Sequence, residues 1–282
     1  MAKSLLSWSA FSLYTAASVA ALYYLLTKNE RASRLMLTLI GCGLVLQFMA
    51  FGIHLAGFWA YPENRWFLPI NNFFGALSYM SFALAGAFFT IEVRRHLGIL
   101  GAFVLPMAAL GLGLAVILAN PELAPLEPKL RSYWLNIHPM ILMTAYATFT
   151  NAFGVALALL IQERQIKSRT PSELCYRLPS LDELDALNSR IIAITLPILV
   201  VGLVMGAVWS YQASGRAWSG NAKEIMSLVT VGFYGEFLWL RYVSGRRGRI
   251  PVYVSMAGFA CILLTFFGAG VFSDSHDYLG GK

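Results

Sequence analysis

Long apolar runs separated by short, mostly basic connections set the pattern of this chain. Stretches of about 20 largely uncharged residues, long enough to cross ~30 Å of hydrocarbon at 1.5 Å per residue, recur eight times, at 7–26, 35–59, 68–91, 98–119, 135–161, 190–211, 224–240 and 250–272. Each predicts a helix, because a helix satisfies its own backbone hydrogen bonds where no water is available. The expected fold class is therefore an all-α integral membrane protein, a bundle of about eight transmembrane helices forming one polytopic domain over residues 1–282. The first run follows Lys3 and contains small residues, but it exceeds the usual length of a signal-peptide core and reads as a span rather than a cleaved leader.

Composition agrees with the pattern: 58% of residues are hydrophobic and only 12% charged, more apolar surface than a soluble core of this size can hide. The placement of the 21 lysines and arginines gives an orientation. Fourteen lie in the connections after the odd-numbered spans, including Lys28, Arg31, Arg34, Arg94, Arg95, Arg177, Arg190 and Arg241; seven lie on the other face, at Lys3, Arg65, Lys129, Arg131, Arg216, Lys223 and Lys282. The positive-inside bias then puts both termini outside the cytoplasm. A net charge of +7 would suit nucleic acid, but the charges are scattered over short loops, and the densest inner cluster is Arg246-Arg247-Gly248-Arg249. Anionic lipid headgroups account for that distribution, so no nucleic-acid partner is expected.

Chemistry is sparse. Cys42 and Cys261 sit in apolar runs and Cys175 in an inner loop, without CxxC or CxxCH spacing, so neither a disulfide framework nor covalent haem attachment is indicated. Nucleotide-binding, zinc-protease and serine-hydrolase motifs are absent from the sequence. Two histidines stand out. His138 and His276 fall at the outer ends of apolar runs, with a tryptophan-bearing stretch from Trp209 through Tyr211 to Trp218 between them. Imidazoles beside aromatic faces at a membrane surface suit haem, whose iron takes one axial ligand on each side. Trp134, Trp209, Tyr211, Trp218 and Tyr278 are at the level to cover a porphyrin, although aromatic residues there also form anchoring belts. Arg131, Arg216 and Lys223 are the outer cations available to two propionates.

Further residues invite a weighing. His54 lies within the second run, where an ionisable group is costly, and so is either a ligand or a hydrogen-bonded packing residue. Glu236 is the carboxylate inside the seventh run; it is expected to relay protons or, more plainly, to pack in neutral form against a neighbouring helix beside Gly232 and Gly235. His96 follows Arg94-Arg95 and reads as solvated. Around residues 178–189, Ser180 has capping-box spacing to Glu183, and Leu181, Leu184 and Leu187 form one stripe, which predicts a short amphipathic helix on the inner surface.

Several of these segments together resemble the CcsA/ResC family of cytochrome c biogenesis proteins. The resemblance runs through Leu178-Pro179-Ser180-Leu181, Gly206-Ala207-Val208-Trp209, Lys223-Glu224, Ser227-Leu228, the stretch 245–249 and Ser275-His276-Asp277-Tyr278, with a weaker echo at Pro69-Ile70-Asn71-Asn72. It implies a haem-handling protein whose outer WWD domain, here a degenerate loop at 212–223, holds haem b non-covalently between two outer histidines, with His138 and His276 at those positions as axial ligands. Of the family signature W-G-x-x-W-x-W-D-P-K-E, this chain keeps Gly215, Trp218, Lys223 and Glu224. The family's Leu-His-x-Arg becomes Leu238-Trp239-Leu240-Arg241, without the imidazole, and its Asn-Leu-Tyr-Glu becomes Asn72-Phe73-Phe74-Gly75, without the carboxylate. The resemblance implies haem presentation during cytochrome c assembly, in a bacterial inner or thylakoid-type membrane, with a ResB-like partner and c-type cytochromes. Loss of the intramembrane histidine keeps two other readings open: a haem-binding or structural subunit of a respiratory or photosynthetic redox complex, and a haem-free structural or HemX-like regulatory protein. Each is a binding or redox role rather than that of a stand-alone enzyme.

Overall fold

The computed structural model of the chain describes residues 2–70, 72–118, 123–126, 131–168, 170 and 172–272. Among the described residues the regular structure is entirely helical: α1 (Ala2–Thr27), α2 (Glu30–Phe58), α3 (Phe73–Arg95), α4 (Gly101–Leu118), α5 (Trp134–Ile166), the short α6 (Glu173–Arg177), α7 (Leu181–Ser214), α8 (Ala222–Leu238) and α9 (Arg249–Phe272). Seven of them, α1 to α5, α7 and α9, are long and apolar enough to cross a membrane. The chain is a multi-pass membrane protein. The seventh predicted run is α8, whose 17 residues are prolonged by a π-helical turn at Trp239–Val243.

Polar capping marks where these helices start. Asn72 Oδ1 accepts from the Gly75 amide at 2.7 Å, Asn221 Oδ1 from the Glu224 amide at 2.9 Å and Ser180 Oγ from the Glu183 amide at 3.3 Å, each occupying an amide that the first turn leaves open. The Ser180 cap matches the sequence reading, but the stretch 178–189 is not a separate inner-surface helix. It opens the 34-residue α7, because nothing between Leu187 and the first membrane turns breaks the helix, and Asn188 and Ser189 are buried. Gly215, with φ of 73°, closes α7 in the left-handed conformation that glycine adopts most readily.

α5 lies at the centre. It packs on α3, α7 and α9, while α1 packs on α2 and α4, and α8 on α9 and α7. Because lipid is as apolar as the helix surfaces, close approach and internal hydrogen bonds must hold the bundle together. At Gly43 of α2 the Tyr14 ring of α1 comes within 2.6 Å of where a Cβ would stand, and Tyr14 donates to Gln47 Oε1 at 2.7 Å while Gln47 Nε2 donates to the Ser78 carbonyl at 2.9 Å, joining α1, α2 and α3. At the arginine-rich end, Arg241 pairs with Asp185 at 2.6 Å and Arg249 with Glu163 at 3.0 Å, which fixes the lower ends of α7, the π turn, α5 and α9.

The opposite end is tied by two asparagines. Buried Asn64 donates to the Ala124 carbonyl at 2.9 Å and accepts from the Leu126 amide at 2.7 Å. Asn136, in the first turn of α5, accepts from the Leu68 amide at 2.9 Å and donates to the Trp66 carbonyl at 2.8 Å. Both bonds fasten the 62–72 connection to the part of α5 that carries His138.

Candidate functional site

A cavity of about 630 Å³ opens where α3, α4, α5, α7, α8 and α9 meet at the tryptophan-rich end of the bundle. Its walls are mostly apolar, from Phe73, Leu114, Leu142, Leu203, Leu228 and Phe266. The polar groups sit at its rim and floor: Ser210, Ser219, Asn221, Lys223 and Glu224 above, Tyr146 and Ser227 below. A volume within the ~300–1,000 Å³ typical of cofactor sites, apolar along its walls and with its charged groups Lys223 and Glu224 at the rim, suits a large flat amphiphile carrying anionic groups on one edge.

His138 lines this cavity one turn into α5, where Pro139 removes an amide that would otherwise bond the preceding turn. Its Nδ1 lies 2.8 Å from the Gly202 carbonyl of α7. Trp134, Trp209, Trp218 and Lys223 line the same space. Trp134 Nε1 donates to Gln212 Oε1 at 2.8 Å, pinning the end of α7 over the start of α5. The loop at 215–221 is shaped by Glu224, whose carboxylate accepts from the Ser219 and Gly220 amides, each at 2.8 Å, and from Ser219 Oγ at 2.9 Å. That occupation explains why Glu224 belongs to the loop's framework. Lys223, at the first turn of α8 just ahead of the predicted span, has its ammonium pushed below the usual lysine range by burial.

Of the residues singled out in the sequence, the structure brings together His138, Trp134, Trp209, Trp218 and Lys223 and leaves others outside the cavity. Tyr211 is exposed. Arg131 donates through Nε to the Leu126 carbonyl at 3.0 Å, and Arg216 lies in the exposed loop beyond α7. His54 is buried in α2 with its ring edge-on to Phe74, centroids 5.4 Å apart, and does not line the cavity. Glu236 is exposed on α8. His276 and Tyr278 fall outside the described residues, as do Lys129 and Lys282. Sequence reasoning missed Tyr146 and noted Ser227 only as part of the family resemblance, because both look like ordinary span residues until the helices around the cavity are placed. It also missed Glu92, 2% exposed near the C-terminal end of α3, because the predicted run stops one residue short of it.

The model of the cytochrome c assembly protein family matches residues 70–275, well over half of the chain. The chain belongs to this family. Similar proteins include the cytochrome c biogenesis protein CcsA of Prochlorococcus marinus, 30% identical over 240 residues covering 73% of this chain and 75% of that one, and CcsA of Guillardia theta, 25% identical over 238 residues covering 76% and 79%. Among solved structures, cytochrome c haem lyase CcmF superposes with a TM-score of 0.75 at 16% identity, over 99% of this chain. The chain spans 48% of the length of that structure, and at this identity the likeness is one of fold. A CcsA-type role in cytochrome c biogenesis follows from family membership.

Proposed function

We propose that this CcsA-type protein holds haem b non-covalently at the outer face of the membrane, between His138 and His276, and presents it for attachment to c-type cytochromes. One observation carries the reading: His138, Trp209, Trp218 and the half-buried Lys223 share a single apolar cavity of cofactor size. Haem bound there would be held by His138 and His276 and would supply the iron porphyrin to be attached to c-type cytochromes. The chain's own groups do the rest. His138 offers a ring nitrogen from the cavity wall. Trp209 and Trp218 cover apolar surface and exclude water. Lys223, the cation lining the cavity among the described residues, pairs with a propionate in preference to Arg131 or Arg216. Phe266 and Phe267 of α9 also line the cavity, and His276 follows nine residues after Phe267 in the sequence.

This reading places both termini outside the cytoplasm, counts α8 as an eighth span, and assigns a ResB-like membrane partner, since the intramembrane histidine of the resembled family is replaced by Trp239. The experiment is genetic. A strain lacking this chain should lose covalently haem-stained c-type cytochromes, and complementation by His138→Ala should not restore them while His54→Gln should. Full maturation in the deletion strain would reject the assembly role.

A further inference from the structure

α7 crosses α5 through two glycines one turn apart, in Gly202-Leu203-Val204-Met205-Gly206. A Cβ on Gly202 would stand 2.6 Å from Leu142 Cδ2 and 3.2 Å from Ile141 Cγ2. A Cβ on Gly206 would stand 2.6 Å from His138 Cε1 and 3.2 Å from each ring nitrogen. Carbon atoms in contact sit about 3.5–4.0 Å apart, so a side chain at 206 requires the imidazole to move by up to about 1 Å, and one at 202 requires the Leu142 side chain to give way. The spacing is that of a small-residue helix crossing in a membrane. Here the approach does more than pack two helices. It brings the Gly202 carbonyl to 2.8 Å from His138 Nδ1. A carbonyl only accepts, so Nδ1 carries the proton, and the neutral ring is left with a bare lone pair on Nε2. The bare glycine at 206 gives the ring its seat against the α7 backbone.

We propose that Gly202 and Gly206 are positioning residues that fix the tautomer and aim of His138, so that Nε2 is the nitrogen offered to iron. The proposal deepens the haem-holding reading above and rests on it. Removing the orienting partner of a metal-bound histidine commonly costs 10- to 100-fold in affinity, and a loss of about that size is expected for Gly206→Ala. Gly154→Ala is the matched control: its Cβ would meet Val104 Cγ2 at 2.7 Å, a comparable overlap on the other side of α5 and away from His138.

The test uses the full chain in lipid nanodiscs, labelled with ¹⁵N-histidine and free of haem, at a pH where the imidazoles are neutral. His138 is assigned by the resonances lost in His138→Gln. In the wild type, Nδ1 should be protonated and Nε2 bare; Gly206→Ala should move His138 to the other tautomer or a mixture, and Gly154→Ala should not. Protonation of Nε2 in the wild type overturns the proposal without any variant. So does an unchanged tautomer in folded Gly206→Ala. Haem titration of the same samples separates the two readings: no Soret band in the wild type rejects haem holding while the tautomer result stands, and a shifted tautomer with unaltered haem affinity severs the glycine pair from iron ligation.

Discussion

Replacing Lys223 by glutamine removes the cation from the cavity rim while keeping a side chain of similar reach. A charge-assisted hydrogen bond contributes about 1.5–3 kcal/mol, so haem affinity should fall roughly 10- to 150-fold, whereas Arg131→Gln and Arg216→Gln, which alter residues outside the cavity, should change it by less than about threefold. The pH dependence has a definite sign. Burial holds the Lys223 ammonium below its ordinary value, and a propionate alongside would raise it again. Between the free and bound values the complex carries the extra proton, so affinity should be flat at neutral pH and decline as pH rises through that window. The Gln variant should lose the alkaline decline along with the affinity. Spectrophotometric haem titration of detergent-solubilised protein from pH 7 to 10 measures both. Wild-type affinity and an unchanged pH profile in Lys223→Gln would refute this placement of the propionate.

At the arginine-rich end, Arg241→Ala leaves the buried Asp185 carboxyl without its ion pair and should cost about 3–5 kcal/mol in a reversible unfolding assay. Asp182→Ala, whose 3.3 Å pair with Arg247 is exposed on both sides, should cost less than about 1 kcal/mol. Tyr14→Phe removes one buried interhelical bond to Gln47 and should lower stability by about 0.5–2 kcal/mol without altering haem titration. Glu236→Gln should leave haem occupancy and cytochrome c maturation at wild-type level, since the carboxylate faces away from the cavity; a loss of maturation with haem retained would restore proton relay as its role.

Spans were legible because hydrocarbon thickness imposes a length on every crossing helix, and the Ser180 cap was legible because a first turn must satisfy its own amides. Helix continuity was less so: 178–189 carries the polarity of a surface helix, but only the absence of a breaker before Pro197 joins it to α7. The cavity was read in outline. His138, Trp209, Trp218 and Lys223, each singled out in the sequence, line one cavity, while Tyr211 is exposed outside it, since a side chain's direction depends on the helix phase at which α7 ends. Contacts between distant helices left almost no trace. The bond from His138 to Gly202 joins residues 64 apart in sequence, and its one visible sign was the glycine spacing in α7. Glu92 escaped notice for a different reason: a single carboxylate beside Arg94-Arg95 looks like part of a solvated end, and burial is set by the neighbouring helices.

Purification from native-like membranes followed by absorption and electron paramagnetic resonance spectroscopy tests the central claim most directly. The wild type should carry haem b with a Soret band and a low-spin signal from two imidazoles, His138→Ala and His276→Ala should each convert it to a high-spin or empty form, and added imidazole should restore the low-spin signal in either variant. Protein that holds no haem after reconstitution, or that keeps the same low-spin spectrum when both histidines are replaced, would contradict it.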